Sequence, residues 1–260
     1  MGPRTTDQGR TKNQDPTTRD QRLTDLSKSP ERIAAMFDAI AGRYDFLNHV
    51  LSAGLDRRWR KRAIRTLALT GRERVLDLCT GTADLAIAAL RSEPAAARVV
   101  GIDFARVMLQ VGREKIQRER MGDRLALVRG DATRVPIADA SIDAVTIAFG
   151  IRNVDEVALA CGEMRRVLKP GGRLAILEFA VPDVPGVGAL YLWYLDHVLP
   201  RIGRAVSRHD DAYGYLPASI GAFTSPDEFV KILRQAGFTD VFPTPLTFGT
   251  VILYTATRGD

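Results

Sequence analysis

Between positions 74 and 179, five short apolar runs alternate with three stretches of helical period, and few folds accept that arrangement. The runs lie at 74–79, 98–104, 125–129, 142–149 and 173–179, and the helical stretches at 84–91, 106–120 and 155–168. A short run that is apolar throughout reads as a strand buried on both faces, and a crossover helix between two such strands makes them parallel. The alternation predicts a doubly wound α/β fold, a mostly parallel sheet with helices on both faces. Pro170 and the Gly171-Gly172 pair mark the passage from the third helix into the fifth strand.

Upstream, Ile33, Phe37, Ile40, Tyr44, Leu47 and Leu51 step by three or four, the period of an amphipathic helix, and a second helix follows through Trp59, Ile64 and Leu67. Downstream, the pattern predicts a helical segment at 189–198, a helix at 226–235 and β-rich runs at 241–248 and 251–255. A chain of 260 residues with 45% hydrophobic composition can bury one sizeable core. The expected organisation is a disordered polar tail (1–28) and a single domain (29–260). Within that domain lie N-terminal helices (29–70), a ligand-binding core (71–180), a helical lid (181–225) and a C-terminal helix with a β-hairpin (226–260).

Only two cysteines are present, Cys79 and Cys161, so neither a disulfide framework nor a zinc spacing is available, and a reducing, cytoplasmic setting is expected. The longest uncharged apolar stretch, 184–195, is twelve residues, against roughly 20 needed to cross a bilayer. The net charge of +6 is concentrated in Arg57, Arg58, Arg60, Lys61, Arg62 and Arg65. Such a helix face is either solvated or turned towards an anionic surface.

In an open α/β sheet, ligands bind beyond the carboxyl ends of the strands, where strand order reverses. The turn after the first run reads Asp77-Leu78-Cys79-Thr80-Gly81-Thr82-Ala83-Asp84. Its single glycine argues against a dinucleotide, whose pyrophosphate needs several. S-adenosylmethionine has no phosphate. It needs a tight turn and an acid for its ribose hydroxyls, and Asp103 ends the second run where that acid belongs. Asp131 follows the third run, placed to accept from an adenine amino group while the Ala132 amide donates to a ring nitrogen. Each acid has an ordinary alternative: Asp77 and Asp103 as caps, Asp131 as the start of a loop. Three acids at the ends of three successive strands exceed what capping alone requires.

Longer stretches resemble a known family. They include Tyr44-Asp45-Phe46-Leu47-Asn48 with Leu51-Ser52 and Trp59; Phe149-Gly150-Ile151-Arg152-Asn153; and Arg166-Val167-Leu168-Lys169-Pro170-Gly171-Gly172-Arg173 with Leu177-Glu178-Phe179. His197-Val198-Leu199-Pro200-Arg201-Ile202-Gly203 and Tyr213-Gly214-Tyr215-Leu216 belong with them. From Glu31 to Thr257 the chain resembles the quinone-biosynthesis C-methyltransferases, which act on demethylmenaquinol or on a methoxy-polyprenyl-benzoquinol. It departs from their pattern at Leu47, Asp56, Thr80, Ala83, Ala148 and Ala180.

The resemblance implies a seven-stranded sheet ending in an antiparallel hairpin, with S-adenosylmethionine as cofactor held at Thr82, Asp103, Asp131 and Ala132, and with Gly81 and Asp77 in the same turn. It also implies an electron-rich quinol ring as methyl acceptor, with demethylmenaquinol expected first and the ubiquinone-pathway methoxy-benzoquinol as the alternative. No metal is required. Arg152 and Asn153, with Tyr44 and His197, are the candidates for orienting hydroxyls and moving protons. The expected partners are the polyprenyl quinol, a membrane surface touched peripherally at its inner face, and a second copy in a homodimer. Exocyclic-nitrogen methylases of bases resemble one another in a Pro-Pro-aromatic motif after strand four, where this chain reads Ala148-Phe149-Gly150-Ile151-Arg152, so no nucleic-acid partner is expected. A noncatalytic scaffold is the rival reading from another class.

Overall fold

The structure, a computed structural model, describes residues 29–198, 201 and 210–260. The tail expected at 1–28, and part of the family stretch at 199–203, lie outside the described residues. Helices α1 (Pro30–Leu51) and α2 (Leu55–Thr66) come first. The core then runs β1 (Arg74–Leu78), α3 (Asp84–Leu90), β2 (Arg98–Asp103), α4 (Arg106–Arg118), β3 (Leu125–Arg129), β4 (Ile142–Ala148), a 3-10 turn (Ile151–Asn153), α5 (Val157–Val167) and β5 (Leu168–Phe179). After it come α6 (Val187–Trp193) with a π-turn (Tyr194–Val198), α7 (Asp210–Ala222), α8 (Pro226–Gln235), β6 (Phe238–Leu246) and β7 (Val251–Arg258).

The strands form one sheet in the order β3-β2-β1-β4-β5-β7-β6. All pairings are parallel except those of β7, which lies antiparallel between β5 and β6. Successive residues of a strand point to opposite faces, so the inner strands β1, β2, β4, β5 and β7 each feed two cores. Leu76, Val145, Leu174 and Ile176 pack with α5 and α8 on one face. Val75, Ala144, Ala175 and Leu177 pack with α2 and α3 on the other. Helix α1 crosses the carboxyl end of the sheet, where Ala41, Phe37 and Tyr44 meet Ala105 and Met108 at the start of α4.

The expected strands and helices of the core are present, with three differences. β5 begins at Leu168 rather than 173, because Gly171 (φ +71) lets the Lys169–Gly172 stretch bulge while pairing with β4 continues on either side. β6 is shifted to start at Phe238 and carries Pro243 and Pro245, which an edge strand tolerates because one side of its ladder is unpaired. α7 has no counterpart among the separately expected helices, and Pro217 inside it masks its helical signal. α8 carries the clearest local start signal: Ser225 accepts from the Glu228 amide, Pro226 opens the helix, and Asp227 and Glu228 sit in the first turn.

Candidate active site

Strand order reverses between β1 and β4, and the loops leaving these strands frame a crevice. Three side-chain-bearing residues there adopt left-handed backbone: Cys79 (φ 52), Ala83 (φ 68) and Phe149 (φ 60). Such conformations are unfavourable and concentrate where loop shape serves binding. Gly150 permits the two loops to touch, since a Cβ on it would stand 2.3 Å from Cys79 Cβ.

Asp103 sits in this crevice, 9% exposed. Its Oδ1 accepts from the Ala105 amide at 2.8 Å and its Oδ2 from the Gly81 amide at 2.9 Å. Burial pushes its carboxyl above the usual range. Asp103, Gly81, Phe37, Tyr44 and Met108 line one part of the crevice, a narrow space of about 40 Å3. Asp131 and Ala132 line a second part of about 190 Å3, and Phe104 and Asn153 belong to both. Asp131 also accepts from the Thr133 amide and hydroxyl, each at 2.8 Å, which fixes its loop.

Asp77 and Thr82 shape the crevice without lining it. Asp77 is buried and accepts from the hydroxyls of Thr80 at 2.6 Å and Thr146 at 2.7 Å, tying the turn to β4. Thr82 donates to Asp45 of α1 at 2.5 Å and accepts from Lys115, whose ammonium pairs with Asp45 and Asp84. Asp38 of α1 accepts from the Val107 amide at 2.7 Å. α1 is thereby pinned across the turn at 79–84 and the start of α4.

Burial raises the Asp77 pKa to about 6. The folded protein keeps this proton to about pH 6 while the unfolded chain releases it near 3.8, so the native state binds more protons in that window and stability falls as pH rises through it. The expected contribution is about 3 kcal/mol. Denaturation of wild type and Asp77→Asn from pH 4 to 7 checks this: the difference between their profiles should move within that window, and parallel profiles would contradict it.

Beyond Phe149 a second, more apolar cavity of about 270 Å3 opens between α1, α2, α6, α7 and the turn before β7. Phe149 and Phe179 stack at 4.4 Å, and Trp59 stands edge-on to them at 6.0 and 6.4 Å. Trp59 Nε1 donates to Thr247 Oγ1 at 2.9 Å, which locks the indole. Tyr191, Tyr194, Leu195, Leu216 and Ile220 continue the lining. Phe149 is common to this cavity and the crevice.

The proposed catalytic residues separate into three groups. Tyr44 and Asn153 line the crevice. Burial raises the Tyr44 pKa, so its hydroxyl stays protonated, and Asn153 Oδ1 accepts from Tyr215 at 3.1 Å. Arg152 is buried under the aromatic wall, its guanidinium 5.5 Å from the Phe179 ring centre, and lines neither cavity. It pairs with Glu178 at 2.7 Å and donates to the Phe149 carbonyl at 2.5 Å. Burial alone would favour neutral Arg152, but the Glu178 carboxylate outweighs it and raises the pKa. His197 is exposed, its ring stacked on Trp193, and it lines none of these spaces.

The model of the ubiE/COQ5 methyltransferase family matches residues 25–258. The chain belongs to that family. It is 46% identical over 233 residues to the ubiquinone/menaquinone biosynthesis C-methyltransferase of Geobacter sp. (strain M21), covering 90% of this chain and 99% of that one. It is 40% identical over 231 residues to the demethylmenaquinone methyltransferase of Bacteroides fragilis, covering 89% and 94%. A SAM-dependent methyltransferase of Thermotoga maritima shares the fold, with TM-score 0.59 at 18% identity over 86% of this chain and 99% of that chain. So does a phosphoethanolamine N-methyltransferase of Haemonchus contortus in complex with S-adenosylhomocysteine, with TM-score 0.58 at 14% identity over 77% and 52%. The chain is a methyltransferase of the doubly wound α/β class, and its cofactor is S-adenosylmethionine.

Two features of this methyltransferase site were not assigned roles from the sequence. Glu178, 1% exposed, is the counter-ion of Arg152; an acid closing an otherwise apolar strand was the available signal. The Asp38, Asp45 and Lys115 contacts that pin α1 join residues far apart in the chain and left no local signal.

Proposed function

We propose that this methyltransferase transfers a methyl group to a ring carbon of a polyprenyl quinol, converting demethylmenaquinol to menaquinol. The observation that carries the reading is the aromatic cavity meeting the crevice at Phe149. A planar apolar ring fits between such walls, and the Geobacter and Bacteroides relatives are named for quinone methylation. S-adenosylmethionine, when bound, supplies an electrophilic sulfonium methyl. Asp103 retains lone pairs for the two ribose hydroxyls, Asp131 accepts from the adenine amino group, and the Ala132 amide donates to the ring. Gly81 leaves backbone room beside the amino acid portion.

Trp59, Phe149 and Phe179 flank the quinol and exclude water, so that the ring carbon faces the methyl in line. Tyr44 donates to a quinol oxygen, and Asn153, steadied by Tyr215, fixes its orientation. Arg152, neutralised by Glu178, holds the Phe149 carbonyl and so positions the wall. The protonated Tyr44 hydroxyl steadies the phenolate form of the quinol, which drives electron density onto the adjacent carbon; once methylated, that carbon releases its proton and the ring regains aromaticity. Tyr191, Tyr194 and Leu195 receive the start of the prenyl tail. The rest of such a tail lies in a bilayer, and the exposed cations of α2 give the protein peripheral contact there. No described helix is long and apolar enough to cross a membrane.

Initial rates with labelled cofactor on reduced demethylmenaquinol, its oxidised quinone and a reduced methoxy-benzoquinol test this reading. The expected order is rapid, none and slower. Methylation of the methoxy-benzoquinol alone would replace demethylmenaquinol with the ubiquinone-pathway substrate.

A further inference from the structure

We propose that the rim of the aromatic cavity is a docking surface for an anionic bilayer, with Leu190, Trp193 and Phe248 entering the lipid and the outer face of α2 meeting its headgroups. The proposal deepens the quinol reading, on which its account of substrate delivery rests.

Three elements that line the cavity each present unusual residues outward. The segment 184–195 carries no charge. Its inward side chains Tyr191, Tyr194 and Leu195 line the cavity, while Leu190 is 65% and Trp193 53% exposed. A helix apolar on both sides has no stable orientation against water, and tryptophan and tyrosine favour the boundary between water and lipid. Phe248, 77% exposed, projects from the turn before β7 in a left-handed conformation (φ 58).

That turn is held in place. Thr247 is bonded to Trp59, and the Thr250 carbonyl accepts from the Ala180 amide at 3.1 Å. A fixed turn that holds a phenylalanine in water in an unfavourable conformation points to a partner for that ring. α2 completes the rim: Leu55, Asp56 and Trp59 face the cavity, and Arg57, Arg58, Lys61, Arg62 and Arg65 are exposed. Its one acid, Asp56, is buried against Arg60. Apolar anchors beside a five-cation face match a negatively charged lipid surface. The same rim opens onto a cavity suited to a substrate dissolved in that lipid.

The test uses the full chain with phosphatidylcholine vesicles, with or without phosphatidylglycerol. Vesicle co-sedimentation and tryptophan fluorescence are followed for wild type, Trp193→Phe, Leu190→Ser/Phe248→Ser, and a variant with the five exposed α2 cations changed to Gln. Wild type should bind the anionic vesicles about tenfold or more tightly than the neutral ones, with a blue shift of tryptophan emission that Trp193→Phe abolishes; the Gln variant should lose that preference, and Leu190→Ser/Phe248→Ser should bind both kinds of vesicle more weakly. Turnover of a short-chain, water-soluble quinol should stay at the wild-type rate in Leu190→Ser/Phe248→Ser, while turnover of a vesicle-borne quinol falls. Equal binding by wild type and variants would overturn the proposal. So would a variant whose only change is in sedimentation as a dimer, since a second copy would then cover the patch. Vesicle binding as described with no quinol turned over in any form would retire the quinol reading and leave the docking surface standing.

Discussion

Glu178→Ala should lower the stability of this protein by about 3–5 kcal/mol, because it leaves a buried guanidinium without its counter-ion. Arg152 and Glu178 are 4% and 1% exposed, and their 2.7 Å pair lies between β5 and the turn after β4. Glu178 also accepts from the backbone amides of Arg152 at 3.2 Å and of Phe179 at 2.9 Å, so its removal strands three donors in a region closed to water. The remaining partners of Arg152, the Phe149 carbonyl and Ser219, carry no charge. For a chain of this size the expected fall in Tm is roughly 6–20 °C. Replacing both residues by leucine should recover much of the loss, since the cost lies in the unpaired charge rather than in the missing pair. Denaturant titrations of the two single variants and the double variant check this. A Glu178→Ala protein as stable as wild type would contradict the buried pair.

Asp103→Ala should weaken S-adenosylhomocysteine binding by about 100-fold or more, the value of losing two charge-assisted hydrogen bonds to vicinal hydroxyls. In the protein each carboxylate oxygen already accepts one backbone amide, from Ala105 and from Gly81. Those bonds aim the remaining lone pairs into the crevice and hold the glycine turn against it. Asp103→Asn keeps one good acceptor and should lose less. Calorimetric titration separates the effects, because overall stability should change far less than affinity. An unchanged Kd in Asp103→Ala would remove Asp103 from the ribose site.

The sheet was legible because buried parallel strands leave short apolar runs set apart by stretches of helical period, and β1 to β4 sit where those runs predict them, as does the C-terminal part of β5. The crevice was legible for a related reason: acids that end such strands stand out, and Asp103 and Asp131 both line it. Asp77 reads the same way in sequence, yet its carboxylate turns inward to Thr80 and Thr146, a distinction that depends on strand pairing rather than on position. His197 shows the opposite case. Its helical spacing with Trp193 and Tyr194 gives no sign of which side of α6 faces the cavity, and it falls on the outer side with Trp193. The aromatic wall of Trp59, Phe149 and Phe179 draws one ring from each of three distant segments, so only the folded sheet brings it together.

The most direct test of the central claim is single-turnover transfer of labelled methyl from S-adenosylmethionine to reduced demethylmenaquinol, with product mapping, alongside tRNA as a control acceptor. Label should appear on the quinol ring carbon and not on RNA, and the product should be lost in Asp103→Ala at limiting cofactor. Label on RNA alone would contradict the substrate while leaving the cofactor crevice intact, and label on neither acceptor would contradict the catalytic reading itself.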